Sequence, residues 1–126
     1  MVITPAKSVS GITVKETDKA SKVVAIKIDC KVLDNNVIDP GTITIYARIS
    51  NASNRVVTNG TSDDSFDMNG TPMQYTVKQD IEFTGFSRKV SMIWRKLDSV
   101  ELAPGLYWVT LYANGNEIGK TSFKLS

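Results

Sequence analysis

Apolar and polar residues alternate with a period of two through most of the chain, which is the pattern of half-buried β-strands. The stretch KVVAIKIDCKVLD is the first clear example. Its predicted inward face consists of Val24, Ile26, Ile28, Cys30 and Val32. The stretch TITIYARIS repeats the pattern, with an inward face of Ile43, Ile45, Ala47 and Ile49. No window carries an apolar stripe at helical spacing, so the pattern predicts strands throughout.

Later segments alternate in the same way. RKVSMIWRK predicts a strand with Val90, Met92 and Trp94 inward. Asn69-Gly70 separates two alternating runs and predicts a hairpin turn, because both residues tolerate positive φ. The run after this turn predicts one strand with Met73, Tyr75, Val77, Ile81 and Phe83 on one face. The polar segment 51–65 predicts a long loop, with Asn59-Gly60 as a candidate turn.

The closing stretch LYWVTLYANGNEIGKTSFKL predicts a final hairpin that turns at Asn114-Gly115. Both faces of its first strand are largely apolar, as expected of a central strand. One face carries Leu106, Trp108, Thr110 and Tyr112, and the other carries Tyr107, Val109, Leu111 and Ala113. In the returning strand, Phe123 and Leu125 share one face.

Counting a weaker first strand around GITV, the pattern predicts about seven or eight short, mostly antiparallel strands. This indicates an all-β, immunoglobulin-like β-sandwich, although the disulfide of antibody domains is absent. The length of 126 residues predicts a single domain over residues 1–126, with residues 1–8 as a candidate tail.

The charge composition restricts the kinds of partner that we expect. The chain has 15 Lys and Arg and 13 Asp and Glu, and these charges are scattered along its length. This distribution argues against nucleic acid or an anionic membrane as an obligatory partner. The apolar runs are far shorter than the roughly 20 residues of a membrane span, so we expect no direct membrane insertion. The first residues, MVITPAKS, have neither the charged start nor the apolar core of a signal peptide.

Catalytic and metal-binding side chains are scarce. The chain has no histidine, which removes Ser-His-Asp and Cys-His catalysis and the commonest zinc ligand. Cys30 is the only cysteine, and its parity predicts a small core residue instead of a reactive thiol. The acidic stretch SDDSFDMNG resembles a calcium loop. Aligning Gly70 with the EF-hand glycine, however, puts Ser65 at the first position and Thr76 at the last, where the motif requires Asp and Glu, so the motif fails. We therefore expect no catalytic, cofactor-binding or metal-binding residues, and no cofactor.

Aromatic residues remain as candidates for an interaction surface. They are Tyr46, Trp94, Tyr107, Trp108 and Tyr112. Aromatics on a sheet face can stack sugar rings or anchor a protein partner, but most pack in cores. Core packing is the better interpretation of the group as a whole.

The closing sequence LAPGLYWVTLYANGNEIGKTSFKL resembles the last hairpin of bacterial immunoglobulin-like modules at the C-termini of envelope and secreted proteins, especially in Bacteroidetes. The resemblance implies a non-catalytic module that binds another protein or other domains of its parent chain. It also implies a periplasmic, cell-surface or secreted location. A carbohydrate-binding module that uses exposed aromatics to hold a glycan is the alternative.

Overall fold

The computed structural model describes residues 1–11, 13–32, 41–59 and 65–126. Ten strands lie in these ranges: β1 Val2–Ser10, β2 Thr13–Glu16, β3 Ala25–Val32, β4 Gly41–Asn51, β5 Ser65–Met68, β6 Thr71–Gln74, β7 Val77–Phe83, β8 Arg88–Arg95, β9 Gly105–Ala113 and β10 Asn116–Leu125. A 3₁₀ turn covers Ala20–Lys22. No helix in the described ranges is long and apolar enough to cross a membrane.

Two four-stranded antiparallel sheets pack face to face, so the predicted β-sandwich is confirmed. The first sheet has the order β2-β1-β3-β8, and the second has the order β10-β9-β4-β7. A separate hairpin, β5-β6, accounts for the remaining two strands. The strand count exceeds the predicted seven or eight because the N-terminal region and the segment after Gly70 each contribute an additional strand.

The core is made by the inward rows that the alternation predicts. Ile26, Ile28 and Val32 of β3 are buried, as are the four predicted inward residues of β4. Val90, Met92 and Trp94 of β8 are buried as well, and they lie beside the inward residues of β3 on the same face of the first sheet. Val24 departs from the prediction: it precedes β3 and is exposed. Its backbone still bonds to Ala6 and Lys96, but Ala25 and Ile26 are both buried, so strict alternation is interrupted between Val24 and Ile26.

The N-terminus is not a tail. Residues 2–10 form β1, which pairs with β3 from Val2 opposite Asp29 to Ala6 opposite Ala25. Ala6 is completely buried, and β1 also pairs with β2, which overlaps the predicted GITV strand. Pairing on both sides satisfies the backbone groups of this segment, so it is ordered despite its weak apolar alternation.

The hairpin β5-β6 turns at Asn69-Gly70 with φ values of 52° and 91°, as predicted. The single strand predicted from Met73 to Phe83 is wrong, because the chain leaves β6 after Gln74 and enters β7 at Val77. Thr76 causes this break. Its amide donates to the carbonyl oxygen of Ala47, and its buried hydroxyl oxygen accepts from the amide of Ile49 at 2.9 Å. These bonds draw the chain from the outer hairpin into the second sheet.

Candidate interaction surface

Two of the five candidate aromatics are buried and belong to the core. Trp94 and Tyr107 are each 3% exposed. Tyr107 stacks on Phe123, with ring centroids 5.2 Å apart, and its hydroxyl donates to the carbonyl oxygen of Ala103 at 2.6 Å. Burial also raises the pKa of the Tyr107 hydroxyl, so it remains a protonated donor. Neither residue can present its ring to a partner.

Tyr46 and Tyr112 lie opposite each other on neighbouring strands, on the outward face of the second sheet. The hairpin β5-β6 lies over this part of the face. Phe66 of β5 stacks on Tyr46, with ring centroids 4.3 Å apart, and its ring centroid lies 5.4 Å from that of Tyr112. Asn69 in the hairpin turn also donates to the carbonyl oxygen of Gly115 in the β9-β10 turn. Both tyrosines are therefore half-buried and serve mainly to attach the hairpin.

Trp108 is the candidate aromatic that stays open, with 40% of its surface exposed. Its exposure follows from the register of the second sheet. Trp108 points outward from β9 and lies between Ser50 of β4 and Ser122 of β10, two small side chains that leave its ring standing above the sheet. Lys120 places its ammonium group 5.1 Å from the ring centroid, a cation–π contact.

We define the Trp108 face as the outward residues around this ring: Arg48, Ser50, Leu106, Trp108, Thr110, Lys120, Ser122 and Lys124. Leu106 is as exposed as Trp108 and gives the face a second apolar side chain. The face carries three cations and no carboxylate. Within the described ranges, none of these cations forms an ion pair. The arrangement is therefore an apolar centre with an uncompensated positive border.

An open groove of about 450 Å³ adjoins this face at Leu106. Its two sides are formed by residues 51–58 and 100–107. The sequence pattern predicted a polar loop for the first segment, and after Asn51 its described part is a loop in which Val56 and Val57 line the groove and Val57 also belongs to the core. Asn51 shapes the segment, because its side-chain oxygen accepts from the amides of Ser53 and Arg55. The groove extends the apolar part of the Trp108 face.

Reactive groups are few in the described ranges. The described ranges contain no group of three His, Cys, Asp or Glu residues placed to hold a metal ion. Asp63 and Asp64 of the acidic stretch lie outside those ranges, and Asp67 is exposed. Cys30 is half-buried, less than its parity predicted, and burial raises the pKa of its thiol. This thiol is protonated at neutral pH and is a weak nucleophile.

A family model described as a domain of unknown function, DUF8428, matches residues 1–126. No curated protein matches the chain, and no solved structure does. Because the family model covers the whole chain, this protein belongs to the DUF8428 family.

Proposed function

We propose that this domain is a non-catalytic interaction or assembly module that binds a protein partner through the Trp108 face. The observation that carries the proposal is the exposure of Trp108 and Leu106 inside a border of Arg48, Lys120 and Lys124. Trp and Arg are the residues most enriched among those that dominate binding energy at interfaces. An exposed apolar centre gains free energy when a partner covers it, and the charged border selects that partner.

The surrounding protein is the second part of the proposal. The resemblance of the closing hairpin to bacterial immunoglobulin-like modules supports a place in a larger envelope or secreted protein, in the periplasm, at the cell surface or outside the cell. The partner is then another protein or another domain of the parent chain.

The strand connections support an immunoglobulin-like arrangement. β1, β3 and β8 share one sheet and β4, β9 and β10 share the other, which is the division of strands A, B, E and C, F, G in that fold. Tyr107 near the start of β9 donates its hydroxyl proton to the carbonyl of Ala103, four residues upstream. A tyrosine corner in immunoglobulin-like domains makes the same kind of bond at the start of strand F.

A glycan partner is the alternative, and the geometry favours it less. Sugar binding on a sheet face uses aromatic rings that are open to solvent. Trp94 and Tyr107 are in the core, and Phe66 contacts both Tyr46 and Tyr112. Of the five candidates, Trp108 alone presents an open ring, and Lys120 lies over it.

Site-specific photocrosslinking in the full-length parent protein tests the proposal. A benzophenone amino acid replaces Ser122 in the Trp108 face, and in a matched variant it replaces Ser91 on the outward side of the first sheet. We expect a discrete protein adduct from position 122 that is lost when Trp108→Ala is added, and no such adduct from position 91. Equal adducts from both positions would contradict the proposal. Binding of the domain to glycans on an array, lost in the Trp108→Ala variant, would favour the carbohydrate alternative.

A further inference from the structure

The free edge of β10 lies beside the Trp108 face. β10 is one of the two outer strands of the second sheet, and within the described ranges β9 is the only strand that pairs with it. Just beyond its end, the amide of Ser126 donates to the carbonyl oxygen of Asp18 and the carbonyl oxygen of Ser126 accepts from the amide of Ala20, so the open part of the edge lies before Ser126. A bulge interrupts the pairing between Glu117 and Gly119, and regular pairing then continues to Leu125. Every second residue of such an edge directs its backbone N–H and C=O groups away from the sheet, where they can pair with an added strand.

The two faces of this edge differ in chemistry. Lys120, Ser122 and Lys124 point outward and are exposed, whereas Thr121 and Phe123 point inward and are half-buried. The inward row is therefore incompletely covered at the edge. β2, an outer strand of the first sheet, has only four residues, and β7 at the opposite edge of the second sheet carries charges of both signs. β8, the other outer strand of the first sheet, has eight residues. β10 is the longest of the four outer strands, and after its bulge its charged residues, Lys120 and Lys124, are both positive.

We propose that an extended, acidic segment of the partner protein adds as a strand to the β10 edge; this inference rests on the proposed function. Across a strand pair, side chains on the same face lie close enough for opposite charges to attract. Carboxylates opposite Lys120 and Lys124 are four residues apart on the added strand. Apolar residues between them cover Thr121 and Phe123. The expected segment therefore reads acidic, apolar, small, apolar, acidic.

A second copy of this chain fits the edge poorly. In an antiparallel pair of β10 strands centred on Ser122, Lys120 of one copy lies opposite Lys124 of the other, and both pairs of like charges repel. Lysine on an edge strand is a common protection against such pairing. The same lysines favour an acidic strand, so repulsion of wrong partners and attraction of the right one come from the same two side chains.

The test uses the whole domain and the acetylated, amidated peptide Thr-Glu-Val-Thr-Val-Glu-Thr. Amide chemical shifts of the ¹⁵N-labelled domain report binding, and we expect the largest shifts in residues 119–125 with a Kd of about 1 mM or lower. Replacing both glutamates of the peptide by lysine should abolish these shifts. The domain variant Lys120→Glu/Lys124→Glu should weaken binding about tenfold or more, and Lys78→Glu on the opposite edge strand should leave it unchanged. The amide spectrum of each variant verifies that it is folded.

Two N-methylated peptides separate strand addition from simple charge attraction. One carries methyl groups on the valine nitrogens and the other on the glutamate nitrogens. Only one of these two sets of N–H groups faces β10 in a strand pair, so binding should be lost with one peptide and kept with the other. Any other pattern, or no binding of the parent peptide, would overturn the inference. The crosslinking result at position 122 does not depend on strand addition. Failure of the strand-addition inference is therefore distinguishable from failure of the proposed function.

Discussion

Phe66 stacks almost parallel on Tyr46, with an angle of 10° between the ring planes, and this contact joins the β5-β6 hairpin to the outward face of the second sheet. Phe66 is 8% exposed although it lies outside the space between the two sheets. The hairpin therefore forms a third layer over Tyr46 and Tyr112, while the Trp108 end of the same face carries an exposed ring. Its position decides which aromatics a partner can reach.

Removing the Phe66 ring should detach the hairpin. Phe66→Ala should lower the free energy of unfolding by about 3–5 kcal/mol, the usual cost of truncating a buried phenylalanine. Phe86→Ala is the matched control, because Phe86 is 73% exposed, and it should change stability by less than about 0.5 kcal/mol. Urea denaturation of both variants gives the comparison. Equal losses would show that Phe66 does not hold the hairpin.

The Thr76 hydroxyl should be essential as a hydrogen-bonding group. It donates to the carbonyl oxygen of Val57 at 2.7 Å and accepts from the amide of Ile49. Thr76→Val keeps the shape but leaves both backbone groups buried without their partner, and should cost about 1–3 kcal/mol. Thr76→Ser keeps the hydroxyl and should cost clearly less. Thermal or chemical unfolding measures both, and similar losses for Val and Ser would contradict a hydrogen-bonding role.

The final strand should contribute to stability through its inward residues. Leu125 is 1% exposed, whereas Lys124 points to solvent. Leu125→Ala should lower the free energy of unfolding by about 2–5 kcal/mol, and Lys124→Ala should leave it within about 0.5 kcal/mol of the parent. Denaturation midpoints measure the difference. A mild effect of Leu125→Ala would mean that β10 is an appendage of the fold.

Cys30 should react slowly in the folded protein. Burial raises the pKa of its thiol above the ordinary value of 9.0, so less thiolate is present at pH 8 than in the unfolded chain. Ellman's reagent should therefore label it slowly until denaturant is added. The chain has no other cysteine, so the signal belongs to Cys30 alone. Rapid labelling of the native protein would contradict the buried environment.

The same pKa shift predicts how stability depends on pH. The folded state holds the thiol proton more tightly than the unfolded state, so the contribution of this group is fully present below about pH 9 and is lost as the pH rises through the folded pKa. Cys30→Ala should decline less steeply in stability above pH 9 than the parent does. Unfolding curves at a series of pH values test this, and identical slopes would contradict it.

Much of the sandwich follows from local pattern alone. Period-two alternation identified the inward residues of β4 and β8, because successive side chains of a strand point to opposite faces wherever the strand lies. The Asn69-Gly70 and Asn114-Gly115 turns were likewise predictable, since positive φ is a property of those residues themselves.

Long-range contacts decided the rest. Both faces of β9 are apolar, so alternation could not tell that Tyr107 enters the core while Trp108 faces solvent; the register with β4 and β10 decides it. β1 has a weak alternation and is ordered because β3 and β2 pair with it. Tyr46 is half-buried because a hairpin 20 residues later in the chain places Phe66 upon it. Burial depends on which distant segments meet, and local alternation specifies only the two faces that are offered to them.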